Sequence, residues 1–291
     1  MKEVVFLIVI ALAWIIFAAV QDLRRREVAN WLNFSLIAFA LGFRFFYCLF
    51  SGSNNTGFSF FYQGLIGLGI FLVIGNLLYY GRMFAGGDAK LMIALGAVLP
   101  LSSVFFVNLQ TFVLFFLIFL VSGAIYGVVF SSVLVLKNWK NFKKEVYISF
   151  NNKKRLASIL MAGGLIIMLF GFANVLIFAC GVLIFLIPCL FIYAKAIEES
   201  CMVKKIKSRE LREGDWLYKD VKISKGKIIR ASWDGLTNRE IKMIQKKYRE
   251  INVKQGIPFV PVFLISFVVL IYIYYSGGFA SLLELIKSVG V

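Results

Sequence analysis

Apolar residues fill the chain in long runs, and polar residues gather in the gaps between them. The runs predict membrane helices near 4–21, 31–50, 58–80, 89–107, 110–136, 156–172, 174–195 and 258–275. Most approach the roughly 20 residues that cross a bilayer. Pro100 interrupts the fourth. The stretch 156–195 is one apolar run divided only by Gly171-Phe172-Ala173-Asn174, and two short helices fit it better than one. Residues 1–20 resemble a signal peptide in hydropathy. However, Met1-Lys2-Glu3 is a weakly positive start, no small-x-small cleavage site is evident and Arg24-Arg25-Arg26 follows at once. A retained first helix is therefore expected.

The longest polar gap, 201–257, has a different pattern. Trp216 to Ile223 and Lys227 to Ala231 flank Ser224-Lys225-Gly226, which predicts a hairpin. Thr237-Asn238-Arg239-Glu240 has the form of a capping box, so a helix is expected from there to about Arg249. The predicted fold class is an all-α polytopic membrane protein, of about eight spans with six to eight compatible with the runs, carrying a small α+β module. The expected division is 1–200 as a membrane domain, 201–257 as the module, and 258–291 as a last membrane helix and tail.

Charge placement predicts orientation. With the N-terminus outside, the inner segments carry 29 of the 32 Lys and Arg, whereas the outer loops carry none. The positive-inside rule thus places the module, and the residues near 22 and 88, on the cytoplasmic side of the cell membrane. The net charge of +17 would point to nucleic acid in a soluble protein. Here the location of the charges favours a membrane, so anionic lipid headgroups are expected as partners and nucleic acid is not. Residues 137–155, net +6, interleave Trp139, Phe142, Val146 and Tyr147. They read either as an interfacial amphipathic helix or as a solvated basic loop.

Composition narrows the chemistry. There is no histidine, which excludes His-based triads and most zinc catalysis. Cys48, Cys180, Cys189 and Cys201 lack C-x-x-C spacing, and neither a metal site nor a cofactor is expected. Carboxylates remain, and two are conspicuous: Asp22 closes the first apolar run and Asp88 opens the fourth, after Gly86-Gly87. An acid at a bilayer boundary is read by default as functional. The bland readings are a surface Asp paired with Arg24–Arg26 and a helix N-cap after a glycine turn. Together the two aspartates suggest an aspartyl dyad sharing one proton. On helix dipoles alone, Asp88 at a helix start would hold the anion and Asp22 at a helix end would hold the proton. Gly86 and Gly87 would leave room for a substrate backbone. Lys90 would tune Asp88 or hold a carbonyl, or would simply snorkel. Arg44, inside the second run, is expected to snorkel outward.

These residues resemble a known family. Asp22-Leu23-Arg24-Arg25-Arg26-Glu27-Val28-Ala29-Asn30 is similar to the Asp-x-Arg-x-Arg-x-(Ile/Val)-Pro-Asn box of prepilin and preflagellin (prearchaellin) peptidases, membrane aspartic proteases of the GxGD class. Gly87-Asp88-Ala89-Lys90-Leu91 resembles their G-x-G-D-x-K stretch, with Ala85 in place of the first glycine and Ala29 in place of proline. The resemblance covers about residues 1–136. It implies catalysis by Asp22 and Asp88 on a pilin-like precursor with a short basic leader and an apolar helix. The cysteine-pair cluster of bacterial members is absent, so their N-methylation activity is not implied. The rival reading from another class is a transporter or channel with acidic relay residues. Against it, both acids lie at one predicted face and neither at the midplane.

Overall fold

The computed structural model describes residues 2–50, 58–172, 174–224 and 227–276. The loop 51–57, Ala173, the Lys225-Gly226 turn and the tail beyond 276 lie outside the described residues. Among the described residues the chain is mostly helical, with ten α-helices and five short strands. It forms two compact units, residues 1–127 with 257 onward, and residues 128–256.

The first unit holds α1 (Lys2–Arg25), α2 (Asn30–Phe50), α3 (Ser59–Tyr80), α4 (Gly86–Val98), most of α5 (Phe105–Lys137) and the last helix, Val260–Tyr275. Helices α1, α2, α3 and α5 are long and apolar enough to cross a membrane. Their outward faces are apolar too, as at Phe17, Phe50, Leu77 and Val121. Helix α4 is different. Its 13 residues rise about 20 Å, short of the roughly 30 Å hydrocarbon core. Ala89, Leu91, Met92, Ala94, Leu95, Ala97 and Val98 are all buried, the pattern of a helix enclosed on every side.

Small residues bring α3 against α4. A Cβ on Gly75 would come within 2.7 Å of Ile93 Cγ1, and one on Gly96 within 2.6 Å of the Gly67 carbonyl. This seam lets the two backbones approach closely, as in membrane helix pairs generally.

The expected span 89–107 is corrected. The helix ends at Val98 because Pro100 can neither donate an N–H nor continue the turn. Residues 99–104 form an irregular link. Asn108 holds it by accepting the Ser102 N–H at 2.9 Å and donating to the Ser102 carbonyl at 2.8 Å and to Gln63 Oε1 at 2.9 Å.

Arg44 is also corrected. It does not snorkel outward but is wholly buried. Its Nε–H donates to the Ala97 carbonyl (3.0 Å) and Nη1 to the Phe60 carbonyl (2.9 Å). Nη2 donates to the carbonyls of Val98 (3.1 Å) and Pro100 (2.6 Å). The last carbonyls of an α-helix have no intrahelical partner. Arg44 supplies those of α4 from a neighbouring helix, and Phe60 covers the guanidinium face at 4.2 Å.

In the second unit, α6 (Trp139–Asn152) gives residues 137–155 a helical rather than a loop conformation. Phe142 is buried against Tyr193, while Lys143 lies over the Trp139 ring at 5.1 Å. Helix α7 (Lys154–Phe170) and α8 (Val175–Cys201) divide where the sequence pattern placed the break. Asn174 caps α8 by accepting the Leu176 N–H. Of the two, α8 is long and apolar enough to span.

The polar segment folds as strands β1 (Val203–Lys207), β2 (Trp216–Leu217), β3 (Val221–Ser224), β4 (Lys227–Ile229), helix α9 (Asn238–Lys247) and β5 (Glu250–Lys254). The predicted hairpin is only partly correct. Val221–Ser224 does pair with Lys227–Ile229, but Trp216–Leu217 joins an antiparallel sheet of order β1-β5-β2. Edge strands β1 and β2 find their partner in β5, which is distant in sequence and had no local turn signal. The capping box forms as predicted: Thr237 accepts the Glu240 N–H and Glu240 accepts the Thr237 N–H. Leu211, Leu217, Ile229, Leu236, Ile241, Ile244, Ile251 and Val253 form the small core. The last helix, α10 (Val260–Tyr275), returns to the first unit.

Candidate active site

Asp22 lies in the last turn of α1, and Asp88 is the third residue of α4. Helices α1 and α4 are in contact, and the two carboxylates lie within electrostatic reach of each other. The structure therefore brings together the two acids that the sequence placed 66 residues apart.

Their surroundings differ from the dipole argument made on sequence. Asp22 is 6% exposed, and its Oδ2 accepts the Val260 N–H at 2.9 Å. This is the first amide of α10, where unpaired N–H groups give a helix its positive end. Asp22 thus faces the end of its own helix and the start of another. The proton assignment based on α1 alone does not hold, because α10 was not part of that argument.

Asp88 has a local arrangement. It stands three residues after Ala85, the residue that caps α4. The side chain is half-buried. Ala85 has φ −71°, so the chain needs no left-handed conformation there. Gly86 and Gly87 also lack positive φ. A Cβ on Gly87 would meet Val28 no closer than 3.6 Å, and one on Gly86 would meet Tyr79 at 3.8 Å. The fold itself does not demand glycine at either position.

Lys90 Nζ donates to Asn30 Oδ1 at 2.7 Å, which ties the two boxes together. Within the first box, Gln21 Oε1 accepts the Ala29 N–H at 2.8 Å. Arg26 ends α1 in the left-handed region, φ 56°, a conformation that non-glycine residues seldom adopt. Its backbone N–H returns to the Asp22 carbonyl, and its charge reaches the Asp22 carboxylate.

Sequence reasoning missed several neighbours. Asn33, 1% exposed, donates to the Gly87 carbonyl at 3.4 Å. Tyr126 of α5 lies within electrostatic reach of Asp22. The Val260 amide is 238 residues beyond Asp22 and is a backbone group, so residue type could not reveal it. Asn33 did carry a signal: a polar side chain one helical turn after Asn30, inside an apolar run.

No curated protein and no solved structure matches the chain. Residues 9–130, under half of the chain but including both aspartates, do match the model of the type IV leader peptidase family. That match bears out the resemblance drawn from the two acidic boxes and supports a prepilin-type peptidase role for the protein.

Proposed function

We propose that the protein is a membrane aspartic endopeptidase that removes the short basic leader of pilin-like precursors. Asp22 and Asp88 share one proton. The ionised carboxylate takes a proton from water, and the protonated one hydrogen-bonds the scissile carbonyl, so the pair titrates as a unit. The observation that carries this reading is the tie between the two acidic boxes: α1 packs on α4, Lys90 donates to Asn30 and Asn33 donates to the Gly87 carbonyl beside Asp88.

Gly86 and Gly87 leave the approach to Asp88 open to an extended backbone, and Lys90 holds the Asn30 box beside it. Charge placement supports a cytoplasmic active site and module, with the N-terminus outside. The precursor's apolar helix would then lie among the membrane helices with its basic leader in cytoplasmic water. The basic face of α6 suits anionic headgroups.

The test is cleavage of a pilin-like precursor by purified protein in lipid vesicles. Asp22→Asn and Asp88→Asn should each abolish it. Asn at position 22 can still accept the Val260 N–H, so the variant keeps the helix cap and removes only the acid. Full activity in Asp22→Asn would mean that Asp22 is a cap and nothing more.

A further inference from the structure

We infer that the first turn of α10 is a positioning element of the active site, joining the Asp22 and Asp88 boxes. This rests on the proposed peptidase reading and extends it to residues far outside 9–130, the segment that matches the family.

Three observations converge on Phe259 and Val260. The Val260 N–H donates to Asp22 Oδ2 at 2.9 Å. The next residue, Pro261, has no N–H, and the Val262 N–H donates to the Phe259 carbonyl. The Val260 N–H is thus the donor that this turn directs at the carboxylate. The Phe259 ring, in turn, lies 6.0 Å centroid to centroid from Phe84, the residue just before Ala85 and the α4 cap. Phe119 and Phe263 complete this buried aromatic cluster. One turn thus holds Asp22 through its backbone and braces the start of α4 through its side chain. A cap needed only for stability would require the first contact and not the second.

The experiment replaces Val260 by its α-hydroxy acid in the full-length protein, which converts one N–H to an ester oxygen and leaves every side chain unchanged. A second variant, Phe259→Ala, keeps both amides and removes the brace. Each is assayed for precursor cleavage at a temperature well below its own unfolding. Deleting one hydrogen bond to a charged group is expected to lower kcat by roughly tenfold or more. KM should stay within about twofold, since ground-state binding is untouched. Phe259→Ala should show the same split. If either variant cleaves at the wild-type kcat, the positioning role is wrong while the peptidase reading stands. A rise in KM alone also overturns it. Failure of the wild-type protein to cleave any precursor removes both.

Discussion

Replacing Arg44 by methionine should be among the most destabilising single changes in the membrane unit. The substitution keeps the apolar stem and deletes the guanidinium. Four carbonyls, those of Phe60, Ala97, Val98 and Pro100, lose their donor in a site with no exposure. Each buried acceptor left unpaired costs about 1–3 kcal/mol. Removing a buried cation recovers several kcal/mol of desolvation in the other direction. The carbonyls outnumber the charge, so a net loss of about 3 kcal/mol is expected. Arg44→Lys should recover only part of it, since one ammonium has three donors and no planar fork. Thermal unfolding in detergent, followed by tryptophan fluorescence, would measure the loss. Asp88 lies on α4, ten residues before Val98 and about 15 Å from that end. Cleavage by Arg44→Met should therefore fall even where the fold survives. Wild-type stability in Arg44→Met would refute the argument that α4 depends on a cap from its neighbour.

Further outcomes are open to measurement. Gly87→Ala should unfold at the wild-type temperature, since its Cβ has room, yet cleave precursor poorly, as kinetic assays would show. Gly96→Ala should instead destabilise by about 1–3 kcal/mol through overpacking against Phe71 and Gly67, read by thermal unfolding. Thr237→Ala should weaken the module by about 1 kcal/mol through loss of the α9 cap, seen as faster amide exchange at Ile244. Burial pushes the Asp215 carboxyl up, against the opposing Arg212 N–H. The folded module therefore binds the Asp215 proton more tightly than the unfolded chain, and stability falls as pH rises through that range. Asp215→Asn should flatten this dependence, with its advantage largest at neutral pH and vanishing in acid, again by amide exchange.

Hydropathy located most of the helices because each apolar run is bounded by charge or glycine, as at Arg24–Arg26 and Gly81-Arg82. The break at Asn174 and the Thr237 cap were legible for the same reason: capping is local chemistry. What escaped was non-local. Arg44 looked like a snorkelling cation because its four acceptors are backbone carbonyls from other segments. The strand β5 gave no hairpin signal, and its partners β1 and β2 begin 47 and 34 residues before it. For Asp22, the identity and the helix end were both readable. The opposing dipole of α10 was not, since nothing in residues 4–26 refers to Val260.

The glycine seam between α3 and α4 has a mechanical corollary. Contact this close leaves little slack along the α4 axis, and Arg44 pins its far end, so this short helix is a fixed anvil bearing Asp88.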